Sequence, residues 1–381
     1  MLKLIVDENI AFAKDAFSKF GEVFLLGGRD ISQSVLKDAD ALIVRSITRV
    51  DSELLNNTNV KFVGTATIGT DHIDLQYLQQ RGIFFSDAKG CNADSVAEYV
   101  FTALLNVAVR KNILLKNKII GVIGVGNVGS RVVKFAEALG LKVLKNDPPK
   151  ERAKTGSNYV SLESALRADI VTFHVPLIKG GVDKTFHLLN EKNLSELKEN
   201  VILINTSRGE VIDNTALLKA VKKKNTNLIL DVWEGEPSIN IGLLGESLIG
   251  TSHIAGYSLE GKVNGTKMMF DALCEFTGER KKWNPALPKI VDSTIKPVDS
   301  ESFEETLYAL FKFVYNIEND DNRMRKMIGM NKEKREKYFD LLRKEYPYRR
   351  EFCNYTVIAG KQNKQLTGLL KTFRFKVKLN G

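Results

Sequence analysis

The stretch from Lys118 to Asp147 limits the fold more than any other part of the chain. An apolar run, KIIGVIG, enters the pattern G-x-G-x-x-G at Gly124, Gly126 and Gly129, with Asn127 and Val128 between the last two glycines. Helical spacing follows in Val128, Val132, Phe135, Ala136 and Leu139, and a second apolar run, LKVLKND, ends in Asp147. A buried strand, a tight turn and a helix leave free N–H groups at the positive end of a helix dipole, which is a phosphate cradle. The first glycine permits the turn, the second lets a pyrophosphate reach the backbone, and the third lets helix and strand approach. A carboxylate about twenty residues on accepts hydrogen bonds from ribose hydroxyls and repels a 2′-phosphate, so the expected cofactor is NAD rather than NADP.

The rest of the chain extends this unit. In the first ninety residues LKLIV, EVFLL, ALIV and KFVGT read as buried strands, separated by helical stretches such as AFAKDAFSKF and LQYLQQRG. Unbroken apolar runs separated by helices predict a parallel sheet covered on both faces, with ligands beyond the carboxyl ends of the strands. Two polar stretches fall at such ends, Arg45-Ser46 and Thr65–Thr70. A helix over 94–109, with Val96, Tyr99, Val100, Ala103 and Leu104 on one side, leads into a second series whose strands are KIIGVIG, LKVLKND, DIVTFHV, VILINT and LILDVW. A helix over about 258–276 returns the chain to the first series, and Asn284–Pro288 reads as a linker. Beyond it, Phe303, Leu307, Leu310, Phe311, Val314 and Ile317 recur at helical spacing, while NYTVIAG and RFKVKLN read as strands. The expected fold class is therefore α/β. Two Rossmann- or flavodoxin-like doubly wound parallel-sheet domains occupy 1–93, completed by about 258–285, and 94–257. A small C-terminal α+β domain occupies 286–381.

Composition removes the alternatives. A chain of 381 residues that is 43% hydrophobic and 27% charged is neither disordered nor fibrous. No apolar run reaches the ~20 residues needed to cross a bilayer, and MLKLIVDENI meets Asp7 and Glu8 before a signal-peptide core forms. Cys91, Cys274 and Cys353 are too few and too scattered for a disulfide framework or a metal site, so a reduced, cytoplasmic protein without a bound metal is expected. The net charge is +10, and residues 281–381, with 22 basic and 13 acidic side chains, carry +9 of it. Such a tail suits nucleic acid, an anionic substrate or plain solvation. It lacks zinc-finger spacing and an aromatic-and-basic RNA signature, so nucleic acid is not the expected partner.

Oxidising an alcohol with NAD requires a base for the hydroxyl proton, and histidine suits that role because it titrates near neutrality. The four histidines are His72, His174, His187 and His253. NTSRGEVID (205–213), LDVWEGEP (230–237) and SHIAG (252–256) resemble the three signatures of the NAD-dependent D-2-hydroxyacid dehydrogenases. The resemblance implies that Arg208 anchors the substrate carboxylate, that His253 is the acid/base, and that Glu236 pairs with His253. It also implies cofactor contacts along Gly124–Gly129 and at Asp147, Val175 (by its backbone), Thr206, Ser207, Asp231 and Gly256. His72 and His187 match no catalytic position and read as ordinary polar or capping residues.

KFVGTATIGTDHID, KGCN (89–92), EYVF (98–101), GVGNVG and GTSHIAGYSLEGK narrow the resemblance to the branch of that family acting on 4-phospho-D-erythronate, in pyridoxal 5′-phosphate biosynthesis. It implies oxidation at C2, substrate contacts at Ser46, Thr67 and Tyr257 in a cleft between the two βα series, and a homodimer formed through the C-terminal domain. The basic tail, or Arg45, Arg349 or Arg350, is a candidate for holding the phosphate. Two alternatives stay open. One is another D-2-hydroxyacid dehydrogenase, for 3-phosphoglycerate, glycerate or lactate; the other is an NAD-sensing regulator on the same scaffold.

Overall fold

In the computed structural model, which describes residues 1–156, 158–297, 302–347, 349–360 and 363–380, the chain divides into two units. One is Met1–Asn92 with Ser258–Lys289, the other Ala93–Tyr257 with Ile290–Gly381.

The first unit is built on β1 (Leu2–Asp7), β2 (Gly21–Leu26), β3 (Ala41–Val44), β4 (Phe62–Thr65) and β5 (Phe84–Asp87), all parallel, in the order β2-β1-β3-β4-β5. Successive side chains of a strand point to opposite faces. Leu4, Val6, Ile43 and Phe62 enter one core with Phe17, Met269, Phe270 and Leu273. Ile5, Leu42, Val44 and Val63 enter the other with Leu36, Leu55 and Leu78. Two covered faces are why these strands read as unbroken apolar runs. Helix Leu259–Thr277 joins this unit: the Ser258 hydroxyl accepts the Gly261 N–H at 2.9 Å, and Gly278 ends the helix at φ 70°. Strand β5, FFSD, was not among the expected strands. It pairs only with β4 at the sheet edge and is half-buried throughout, so half of its residues are polar.

The second unit carries β6 (Ile119–Ile123), β7 (Lys142–Asn146), β8 (Ile170–Phe173), β9 (Ile202–Asn205), β10 (Asn227–Leu230) and β11 (Ile249–Gly250), parallel in the order β11-β10-β9-β8-β6-β7. A lone parallel bridge between Lys145 and Tyr159 adds a stub beyond β7. From β6 the chain runs outward to β7 and returns to β8 on the other side. This reversal opens a crevice at the carboxyl ends of β6 and β8.

Helix Ala93–Arg110 differs from expectation. Its spacing predicts one apolar face, yet Ser95 to Ala108 are all buried. The C-terminal segment covers the second face. Asn106 Nδ2 donates to the Tyr308 hydroxyl at 2.5 Å and to Glu318 at 2.9 Å, and the Phe373 ring lies 5.5 Å from Phe101 and 4.6 Å from Phe135. That segment is α+β: a parallel sheet of β12 (Thr294–Ile295), β13 (Thr356–Gly360) and β14 (Lys376–Asn380) with helices Phe303–Val314, Ile317–Arg325, Lys332–Lys344 and Lys364–Thr372. The helical spacing over 303–317 belongs to two helices, because Asn316 caps the second by accepting the Glu318 N–H.

Candidate active site

The crevice between β6 and β8 contains the glycine turn. Gly124 has φ 84°, and a Cβ there would lie 2.8 Å from the His174 carbonyl and from Val175 Cγ1. A Cβ on Gly129 would lie 1.9 Å from the Gly124 carbonyl oxygen, so this glycine is required for helix Asn127–Ala138 to approach the turn. Gly126, at the helix N-cap, has open space where its Cβ would be. No atom of the described residues requires a glycine there, whereas a phosphate lying on the backbone would. Asp147 follows β7, accepts the Val125 N–H at 2.8 Å and the Lys150 N–H at 3.2 Å, and so stands against the same turn. Both features fit a dinucleotide with free ribose hydroxyls.

The three motif residues stand on loops after three neighbouring strands. Arg208 follows β9, Glu236 follows β10 and His253 follows β11. Asn205, the last residue of β9, accepts the Ser207 N–H at 3.0 Å and its hydroxyl at 2.8 Å, and donates to the Arg208 carbonyl at 3.0 Å. This knot turns the chain so that Arg208 leaves the sheet. The next residue, Gly209, lies so close to the β10 loop that a Cβ would be 1.9 Å from the Trp233 carbonyl carbon.

Glu236 accepts the Trp233 N–H through Oε1 at 2.9 Å and faces His253 Nδ1 through Oε2 at 2.8 Å. Burial pushes its carboxyl up, but the His253 ring, Arg343 and the Trp233 N–H together hold it below the usual range. His253 itself has φ 59°, a left-handed backbone uncommon for a residue with a side chain. Asp231 keeps it there. Its carbonyl accepts the His253 N–H at 2.7 Å, Oδ1 accepts the Ile254 N–H at 2.8 Å and the Thr251 hydroxyl at 2.6 Å, and Oδ2 accepts the Ala255 N–H at 2.9 Å. Asp231 is thus the post around which the His253 turn is wound, a role its sequence position did not suggest.

The remaining expected residues fall as follows. Val175 lines the glycine turn, with Val175 and Thr206 half-buried and Ser207 buried. Thr206 Oγ1 lies 3.3 Å from His174 Nδ1, and burial pushes the His174 imidazole down to about 3, which leaves it neutral. Gly256 and Tyr257 continue the His253 turn. Ser46 and Thr67 stand just past the ends of β3 and β4 in the first unit, Ser46 exposed and Thr67 bonded to Thr65 at 2.8 Å. His72 bonds to the same Thr65 at 3.1 Å. His187 Nε2 meets Glu234 at 2.6 Å and steadies the loop that carries Glu236.

Arg349 does not fit the idea that it grips a phosphate. It is 8% exposed, its guanidinium stacks 4.3 Å over the Tyr315 ring, and it donates to Ser95 and to the Ala255 carbonyl. It anchors the His253 turn from behind. Sequence reasoning also missed Asn205, Thr251 and Arg343. Their only signal was position, Asn205 opening the first motif, Thr251 standing just before the third and Arg343 about ninety residues past it.

Comparison with known proteins agrees with this geometry. Residues 106–255 match the model of the D-isomer specific 2-hydroxyacid dehydrogenase NAD-binding domain, and residues 289–372 match a domain of unknown function (DUF3410). The chain is 45% identical over 382 residues to an erythronate-4-phosphate dehydrogenase of Photorhabdus laumondii, covering 99% of this chain and 100% of that one. It is 46% identical over 365 residues to that of Escherichia coli, covering 94% of each. Among solved structures, an NAD-bound 3-phosphoglycerate dehydrogenase of Entamoeba histolytica superposes with TM-score 0.63 at 26% identity, covering 73% of this chain and 95% of that one. A D-lactate dehydrogenase of Aquifex aeolicus with NAD and lactic acid gives 0.60 at 27%, covering 72% and 95%. Glycine turn, strand-end loops and full-length similarity together place the chain in the erythronate-4-phosphate dehydrogenase branch of the D-isomer-specific 2-hydroxyacid dehydrogenase family.

Proposed function

We propose that this protein oxidises 4-phospho-D-erythronate at C2 to 3-hydroxy-2-oxo-4-phosphooxybutanoate, in the route to pyridoxal 5′-phosphate. The observation that carries the chemistry is the 2.8 Å contact between His253 Nδ1 and Glu236 Oε2. A carboxylate at Nδ1 holds the proton there, so Nε2 is the lone-pair nitrogen and can act as the base. Arg208, from the neighbouring loop, binds the substrate carboxylate by paired charge-assisted hydrogen bonds and draws electron density from the C2 oxygen. His253 Nε2 takes the C2 hydroxyl proton, and Glu236 stabilises the imidazolium that results. NAD, when bound along Gly124–Gly129 with its ribose at Asp147, supplies the hydride acceptor. Thr206, Ser207, the Val175 backbone and Gly256 complete its binding residues, and Asp231 holds the His253 turn beside it.

Tyr257 adjoins the acid/base turn and is assigned to the substrate. Ser46 and Thr67, whose hydroxyls stand at adjacent strand ends of the first unit, are assigned to its anionic oxygens on the family pattern. The C-terminal segment is assigned to a homodimer, which sedimentation or light scattering of the purified protein tests. No helix among the described residues is long and apolar enough to cross a membrane, and we place the protein in the cytoplasm. The deciding experiment is NADH formation by purified protein with 4-phospho-D-erythronate against D-erythronate, D-glycerate, D-lactate and 3-phosphoglycerate. Preference for any acid but the first overturns the substrate assignment.

A further inference from the structure

Substrates of this class carry a second anion that the three motif residues do not account for. The sequence offered Arg45, which directly follows β3 in the first unit, and Arg349 and Arg350. Arg349 is committed to Ser95, Ala255 and Tyr315, and Arg350 Nη2 lies 3.3 Å from Asn354 Oδ1.

Arg343 is placed differently. It lies on helix Lys332–Lys344 of the C-terminal segment, within the same unit as the His253 turn. Its guanidinium carbon is 5.9 Å from the centroid of the Tyr257 ring, which the Tyr346 ring meets edge-on at 5.8 Å. Its Nε is buried without a hydrogen-bond partner, an arrangement that costs free energy unless something completes it. Glu236 does not: it acts on Arg343 by charge alone, and its oxygens bond to the Trp233 N–H and to His253. The attraction between Arg343 and Glu236 therefore acts through space. Burial works against the charge of Arg343, but the nearby Tyr257, to whose hydroxyl it also donates a hydrogen bond, Glu236 and Asp340 outweigh it, so the group stays a cation. A half-buried guanidinium beside Tyr257 is suited to a phosphate, to which its remaining N–H groups can donate charge-assisted hydrogen bonds.

We propose that Arg343 binds the phosphate of the substrate, so that the C-terminal segment supplies part of the substrate site. This rests on the reading that the substrate is a phosphorylated hydroxy acid, and it assigns selectivity for the phosphorylated form to a residue outside the two dehydrogenase domains.

The test compares full-length wild type with Arg343→Ala, Arg343→Gln and Arg343→Lys. The first measurement is the ratio of kcat/KM for 4-phospho-D-erythronate to kcat/KM for D-erythronate. Loss of a charge-assisted pair lowers that ratio by about 10- to 100-fold in the Ala and Gln variants, and by less in the Lys variant, which keeps the charge without the fork. The second is calorimetric titration of inorganic phosphate into the NAD-loaded proteins, where affinity falls by about tenfold or more in Ala and Gln. Equal losses on both acids with unchanged phosphate affinity overturn the proposal. So does a displaced pH profile at constant selectivity, which would mean that Arg343 serves Glu236. If wild type fails to oxidise the phosphorylated acid, the functional reading fails, and the phosphate titration still decides the role of Arg343. Lys keeps the length of the stem and Gln part of it, so one of them reports if Ala does not fold.

Discussion

Replacing Glu236 by Gln removes one charge and leaves the shape of the loop. The amide oxygen still accepts the Trp233 N–H, now at 2.9 Å. The amide nitrogen then faces His253 Nδ1, 2.8 Å away, and two donors cannot share that contact. The imidazole answers by moving its proton to Nε2, and the nitrogen that should accept the substrate proton becomes a donor. In the serine-protease triad the same exchange lowers turnover by about 10⁴-fold. The lost charge gives a second measure. At 2.8 Å, with an effective dielectric constant of about 20, the attraction between Glu236 and a protonated His253 is about 6 kcal/mol. Solvent reaches both side chains, at 31% and 19% exposure, and about half of that is a reasonable share. Three kcal/mol corresponds to about 150-fold in rate. Glu236→Gln should therefore lower kcat by about 10²- to 10⁴-fold, with the KM of the hydroxy acid changed only a few-fold because Arg208 is intact. NADH absorbance in both directions measures each quantity. A variant that kept more than about a tenth of the turnover would refute the role given to this pair.

Other substitutions separate roles that one assay would merge. Arg208→Lys keeps the charge but not the fork, and should raise the KM of the hydroxy acid about 10- to 100-fold, with NAD affinity by fluorescence titration little changed. Gly129→Ala forces a Cβ to 1.9 Å from the Gly124 carbonyl and should lower Tm sharply, whereas Gly126→Ala meets open space, so the apo protein should melt as wild type while its NAD affinity falls. A buried carboxylate gives a pH prediction. Glu98 is 4% exposed, and burial first, then the neighbouring Glu351, raise its pKa well above the ordinary value despite Arg374. A raised carboxyl binds its proton more tightly folded than unfolded, so its contribution is full below the ordinary pKa and declines as pH rises towards the folded one. Denaturant titrations should show that decline in wild type, and Glu98→Gln should flatten it.

The α/β class and its two strand series were legible in the sequence because a strand covered on both faces needs unbroken apolar residues. ALIV and VILINT carry that pattern without help from the rest of the chain. The glycine turn was legible for a related reason: positive φ at Gly124 and the close approach at Gly129 are local demands that only one residue type meets. Strand β5 escaped notice because an edge strand needs little apolar surface, and β11 because two residues make no pattern.

Motifs named Arg208, Glu236 and His253, but the sequence holds no information on distance, and the short contact between two residues seventeen positions apart depends on β10 and β11 lying side by side. The same limit hid the hold of Asp231 on the His253 turn. Helix Ala93–Arg110 showed one apolar face and left the other unread, because its cover comes from residues two hundred positions later. Arg343 and Arg349 looked alike in a basic tail. Folding buried one behind the His253 turn and set the other beside Tyr257. Local geometry and periodicity are written in consecutive residues, so the sequence alone decides them. Which charges meet depends on how the layers stack, and only the packed chain determines that.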